Sequence, residues 1–140
     1  MKAPPLGRVA AAAAVLLCSA FGPSAASPGQ PVPPPEEDYA LQCMGCHLQD
    51  GRGLPGRVPP LLGLDRFLAL EGGRAYLVRV PGVAQSSLSG PRLSALLNWL
   101  LQEFGRGAAP DAPPFTPAEV AQLRETPLPN PAQTRRDLLK

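Results

Sequence analysis

The strongest periodicity lies in the second half of the chain. Leu93, Leu96, Leu97, Leu100, Leu101 and Phe104 recur at the i, i+3, i+4, i+7, i+8, i+11 spacing of one apolar helical stripe. Ser89-Gly90-Pro91 precedes the stripe and Gly105 follows it, so the spacing predicts a helix with a glycine at its C-terminal cap. Thr116, Pro117 and Glu119 then form a capping box that predicts a second helix, with Val120 and Leu123 inward. Asn130-Pro131 opens a last short helix, whose Arg135-Arg136 pair is expected in solvent. Upstream the pattern is weaker. Pro35 suits a first helical position, and Glu36, Glu37 and Asp38 complement the dipole of a helix running through Tyr39 and Leu41 to the cysteines. Residues 48–63 are rich in Gly and Pro and read as a loop, stiffest at Pro59-Pro60-Leu61. Asp65 is expected to cap a short helical piece holding Phe67, Leu68 and Leu70, which Gly72-Gly73 interrupts. A further helix is predicted from Arg74 to Val80, with Tyr76, Leu77 and Val80 on one side and Pro81-Gly82 as its stop. No strand alternation and no internal repeat is visible. The fold class is therefore all-α, a small helical domain with long Gly/Pro-rich loops.

The first residues follow a different pattern. Lys2 and Arg8 give a positive start, and Val9 to Phe21 is an apolar run of 13 residues, short for a bilayer-spanning helix. Ser24-Ala25-Ala26 supplies small residues at the cleavage positions. This predicts a secretory signal peptide over 1–26, cleaved near Ala26/Ser27, and hence a periplasmic protein with no transmembrane helix in the mature chain. A lipid anchor on Cys18 is disfavoured by the bulky Leu17 before it. Residues 27–34 read as a Pro-rich tether, 35–105 as the core domain and 106–140 as a C-terminal helical extension.

Composition sharpens this picture. With 20 prolines and 14 glycines in 140 residues, the helices must be short, and a chain this small gains from a buried prosthetic group. There are 13 basic and 11 acidic residues, and loss of Lys2 and Arg8 with the signal leaves eleven of each. A near-neutral chain without a clustered basic face argues against nucleic-acid binding.

Chemistry is concentrated in Cys43-Met44-Gly45-Cys46-His47. Two thiols three residues apart on one turn can reach the two vinyl groups on a haem edge, and the following imidazole then lies under the iron. A redox-active C-x-x-C disulfide usually sits at a helix start after a strand, and no strand precedes this one. A zinc site would need four ligands, and the mature chain offers no further Cys or His. The reading is one covalent haem c on Cys43 and Cys46, with His47 as axial ligand.

At this point the sequence resembles the class I c-type cytochrome family, over roughly Pro35 to Phe104. Tyr39 stands four residues before Cys43, where the family places an aromatic on its first helix. Asp50-Gly51-Arg52-Gly53 and Pro59-Pro60-Leu61 are similar to its post-haem loop, and Leu93 to Trp99 to its last core helix. The resemblance implies a domain wrapped around one haem, with the Pro59 carbonyl accepting from the proximal imidazole and Tyr39 crossing Asn98 or Trp99. Leu61, Tyr76 and Trp99 are the further candidate haem-site residues, beside the apolar Phe67, Leu77, Leu97 and Leu100. Arg74 and Arg79 are candidates for pairing with the propionates.

The sequence departs from that family on the other side of the iron. Electron carriers of the class have a Met between the third helix and the last. Here the stretch reads Pro81-Gly82-Val83-Ala84-Gln85-Ser86-Ser87-Leu88. His47 is the only His, and past the signal Met44 is the only Met, tied between the cysteines. The sixth position is expected to be open, water-filled or held by an unusual group such as Gln85, Lys140 or the new amino terminus. Loss of a thioether lowers the reduction potential. The function expected is electron transfer rather than enzymatic catalysis, between a periplasmic dehydrogenase and another cytochrome or an oxidase. The alternative is a haem-based sensor or small-ligand-binding module. Peroxidase-like chemistry lacks its distal acid–base group, because the stretch holds no acidic residue and no second His exists.

Overall fold

The computed structural model describes residues 32–140. The expected signal peptide (1–26) and most of the expected Pro-rich tether (27–34) lie outside the described residues. Among the described residues seven α-helices follow one another: α1 (Pro35–Gln42), α2 (Met44–His47), α3 (Gly73–Arg79), α4 (Pro81–Ala84), α5 (Gly90–Phe104), α6 (Pro117–Arg124) and α7 (Pro131–Leu138). A 3₁₀ segment, Leu64–Ala69, lies between α2 and α3. The described residues contain no strand, only an isolated bridge between Leu54 and Val58 inside the loop. None of their helices is long and apolar enough to cross a membrane.

The core is built on the α5 stripe. Leu93, Leu96, Leu97, Leu100 and Phe104 are buried together with Tyr39 from α1, Leu64, Val78 from α3, and Leu88. Leu101 falls at the edge of the stripe and is only half-buried. Tyr39 crosses α5, its ring centroid 5.4 Å from that of Trp99 and 5.4 Å from that of Phe104. Asp38 and Arg92 tie the first turns of α1 and α5 together, with Arg92 Nε 3.2 Å from Asp38 Oδ2 and Nη2 on Oδ1. Asp38 is 2% exposed, so the pairing is what makes its burial tolerable.

Residues 106–140 pack on this core. Phe115 and Val120 are buried in the same cluster, and Asn98 holds Phe115 by both backbone groups, donating to its carbonyl at 3.0 Å and accepting from its N–H at 2.7 Å. The last two helices are N-capped by side chains: Thr116 Oγ1 accepts from Glu119 N at 3.2 Å, and Asn130 Oδ1 from Gln133 N at 3.0 Å. The reciprocal half of the Thr116–Glu119 capping box does not form, because the Glu119 carboxylate pairs with Arg74 instead.

Several expectations are corrected. Asp65 does not cap the 3₁₀ segment. It sits inside it and accepts from the Ala108 N–H at 2.6 Å, anchoring the chain beyond α5. Burial pushes the Asp65 carboxyl up, but surrounding backbone N–H groups outweigh that and hold it below its usual value. Pro81 does not simply stop α3; it opens α4 from the first helical position. Val78 and Tyr76 of α3 are both buried, Val78 in the main core cluster, whereas Leu77 and Val80 are half-buried. Gly105 caps α5 in an extended conformation, φ −66°, and is small for another reason: a Cβ there would meet the Leu101 carbonyl oxygen at 2.2 Å. Arg135 is not simply solvated, because its guanidinium lies 4.9 Å from the centre of the Phe67 ring.

Candidate functional site

The site grows from the junction of α1 and α2. The chain bends at Cys43 (φ −125°, ψ −37°), yet the hydrogen bonds run on, from Cys43 N to Tyr39 O and from His47 N to Cys43 O, each 2.9 Å. The turn Cys43–His47 therefore stays helical and carries both thiols within one turn. Cys43 is half-buried against the core cluster, Cys46 is exposed, and neither is in a disulfide. The described residues contain no group of three or more Cys, His, Asp or Glu able to hold a metal ion.

After His47 the chain reverses through a strained residue. Leu48 has φ 64° and ψ 166°, a region that is essentially glycine's own. Its carbonyl is held by the Tyr39 hydroxyl, which donates at 2.5 Å. The loop then folds back: Gly51 N donates to Leu48 O at 3.2 Å, Gly53 N to His47 O at 3.0 Å, and Leu61 N to Gly51 O at 2.7 Å. This brings the Pro59 carbonyl oxygen 3.1 Å from His47 Nδ1. A carbonyl can only accept, so the proton sits on Nδ1 and the Nε2 lone pair is free. Gly53 makes the approach possible. At φ 67°, a Cβ on it would lie 2.4 Å from Val58 O and 2.8 Å from Pro59 O.

Burial also shapes the protonation states. It pushes the Cys43 thiol up to about 11, with Asp38 and Cys46 adding to the effect. It lowers His47, against a smaller opposing effect of the Pro59 hydrogen bond. The imidazole is thus neutral near pH 7, the form that can coordinate a metal. Tyr39 is raised by burial and then by the nearby Cys43 and Asp50.

The structure brings Cys43, Cys46, His47, Pro59 and Leu61 together through the turn and its returning loop. Trp99 joins them at one remove, by stacking on Tyr39. Tyr76 lies in a separate aromatic pair, its ring centroid 4.9 Å from that of Phe67. Arg74 and Arg79 are engaged elsewhere, which corrects the propionate assignment. Arg74 forms a bidentate pair with Glu119, donates to the carbonyls of Pro113 and Pro114, and lies 4.1 Å from the Phe115 ring centre. Arg79 Nε donates to Thr126 O at 2.7 Å. The sequence reading missed the Tyr39–Leu48 bond and the close approach at Gly53. A glycine two residues after another in a Gly/Pro-rich reversal hints at the second; nothing local signals the first.

A helical domain that presents two thiols and a neutral imidazole on one turn, with the imidazole oriented from behind, has the architecture of a c-type haem-attachment domain. Comparison with known proteins agrees. Cytochrome c-552 of Thermus thermophilus is 37% identical, over 59% of this chain and 79% of its own length. A second cytochrome c-552, from a particular strain of the same species, is also 37% identical, over 59% of this chain and 70% of its own. No established family model matches the chain. The chain belongs to the class I c-type cytochrome family.

The prosthetic group that membership implies is one covalent haem c, and the residues present fit it. Both thiols are unpaired, the imidazole has a free Nε2, and Leu41 at the end of α1, Met44 on the turn, and Leu54 and Leu62 on the loop that follows leave apolar surface exposed.

Proposed function

We propose that this chain is an exported electron-transfer protein that carries one haem c bonded to Cys43 and Cys46, with His47 as proximal iron ligand and no strong protein ligand at the sixth position. The haem supplies one-electron exchange at its iron. The observation that carries the reading is the 3.1 Å contact of His47 Nδ1 with the Pro59 carbonyl oxygen, on a turn that also presents both thiols. That contact fixes the tautomer, aims Nε2 away from the loop and raises its basicity. Pro59 sets this orientation, and Leu61, Tyr76 and Trp99 are assigned to the apolar surroundings of the haem.

The open sixth position is supported by the residues at hand. Met44 is held in the same turn as His47 and cannot serve the opposite face. Lys140 Nζ lies 2.6 Å from Asp137 Oδ1, bonded within its own terminus. Gln85 is exposed on a segment without Met or His. The partners are a periplasmic dehydrogenase as donor and another cytochrome or an oxidase as acceptor, an assignment made by analogy with the family. The missing distal Met also favours a second reading, a small-ligand-binding sensor.

Absorption spectra of the purified holoprotein, ferric and ferrous, with and without CO, test these statements. The expected result is a covalent c-type spectrum with high-spin features and ready CO binding. A low-spin ferrous spectrum indifferent to CO overturns the open position. His47→Ala is expected to lose the proximal ligand, and an unchanged spectrum would overturn that assignment. Rapid electron exchange with a dehydrogenase supports the carrier; a CO-dependent response without such exchange supports the sensor.

A further inference from the structure

Arg124, the last residue of α6, reaches back to three carbonyl oxygens of one short segment. Its Nε donates to Ala84 O at 2.9 Å, its Nη1 to Leu88 O at 2.8 Å, and its Nη2 to Ser86 O. The partners lie 36 to 40 residues away in sequence. None of the ion pairs among the described residues involves Arg124. Its charge is met by backbone dipoles alone, in a half-buried setting where such charge-assisted bonds are strong. Beyond α4 the segment holds itself by three bonds, Gln85 N to Pro81 O at 3.0 Å, Ser86 N to Val83 O at 3.1 Å and Leu88 N to Ser86 Oγ at 3.2 Å. Its upstream end is tied to the same C-terminal region, by Leu128 N to Arg79 O at 2.8 Å and Arg79 Nε to Thr126 O at 2.7 Å.

This segment is the Pro81–Leu88 stretch from which the sixth ligand is missing. Val83, within it, and Cys43, on the attachment turn, pack against the same hydrophobic cluster. A segment that bonds to the iron is anchored by that bond. One that does not needs another anchor, and the three carbonyls on one guanidinium supply it. We infer that Arg124 is a positioning residue that fixes segment Ala84–Leu88 and thereby sets how readily a small neutral ligand reaches the sixth coordination position. The inference rests on the open-site reading above.

The test uses the holoprotein with three substitutions, Arg124→Gln, Arg124→Lys and Arg74→Gln. The last cuts another tie of the C-terminal region, to α3, without touching the segment. Two quantities are read: CO rebinding after flash photolysis, and hydrogen exchange of the amides at 84–88. Arg124→Gln is expected to speed exchange there and to change the CO rebinding rate several-fold. Arg124→Lys restores part of both, while Arg74→Gln lowers the melting temperature and moves neither. Unchanged CO rebinding in Arg124→Gln, or an equal change in Arg74→Gln, overturns the inference and leaves the open-site reading intact. Failure of the unsubstituted holoprotein to bind CO overturns the open-site reading itself, and is seen before any variant is made.

Discussion

The hydroxyl of Tyr39 donates to the carbonyl oxygen of Leu48, 2.5 Å away, and so spans the attachment turn from the helix before it to the residue after it. Tyr39 has a second duty, stacking on Trp99 and Phe104 across α5. Phe at position 39 keeps the stacking and removes the stronger of two donors to the half-buried Leu48 carbonyl, leaving it only the Gly51 N–H at 3.2 Å. Tyr39→Phe is expected to cost about 1 kcal/mol, read as a lower thermal midpoint. Leu48→Gly should act the other way. It relieves a glycine-only backbone conformation and is expected to raise the thermal midpoint, by an amount equivalent to about 1 kcal/mol.

Gly53→Ala strikes at the orientation of the imidazole. A methyl there would meet the carbonyl oxygens of Val58 and Pro59 at 2.4 and 2.8 Å, so the loop must move away from His47. The expected outcome is a holoprotein with a shifted reduction potential and a lower melting temperature. An unchanged potential would mean that Pro59 does not tune the proximal ligand.

The buried ion pair predicts an asymmetry. Arg92→Leu leaves the Asp38 carboxylate 2% exposed and unpaired, which is expected to cost about 3–5 kcal/mol. Asp38→Asn leaves the guanidinium of Arg92, whose side chain is 32% exposed, free to find water, and should cost clearly less. Denaturant unfolding of the two variants measures the difference, and equal losses would contradict it.

Acid stability follows from Glu119. Its hydrogen bond from Arg74 holds the carboxyl below its usual value, against the opposing effect of burial. A carboxylate with a lowered folded-state pKa contributes stability that is present above its unfolded value, about 4.3, and disappears as pH falls through the folded one. Asp65 acts in the same direction. Denaturation midpoints are expected to begin falling below about pH 6.5, the ordinary value for an unfolded histidine, because burial disfavours the protonated form of His47 in the fold, and to fall further below about 4 as the carboxylates titrate. Glu119→Gln should lower the neutral-pH midpoint and flatten part of that fall.

Phe115→Ala tests whether residues beyond α5 belong to the core. Phe115 is 3% exposed, held by Asn98 and covered by Arg74. Its truncation is expected to cost about 3–5 kcal/mol in global unfolding. A loss below about 1 kcal/mol, of the size typical for surface substitutions, would mean that this region docks only superficially.

What could be read from the sequence was whatever has a local signature. The Leu93–Phe104 stripe, the Thr116 and Asn130 caps and the thiol–thiol–imidazole spacing each sit within a few residues, and the structure shows helices and a turn there. The carboxylate of Asp65 resembles a cap from its position, but its partner is Ala108, 43 residues on. Pro81 read as a stop because proline ends helices more visibly than it begins them. The arginines were the hardest. Arg74, Arg79 and Arg124 find carbonyls and rings 36 to 47 residues away, and no periodicity encodes such a pairing.

The Asp38–Arg92 pair joins positions 54 residues apart, and it lies just before the cysteines. A chain made from its amino end therefore presents both sulfurs while the helix that will lock their support does not yet exist. Until α5 arrives, that stretch has nothing to dock against and stays open to whatever must handle it. The ordering of the polypeptide itself thus allows chemistry on the thiols to come before closure of the fold.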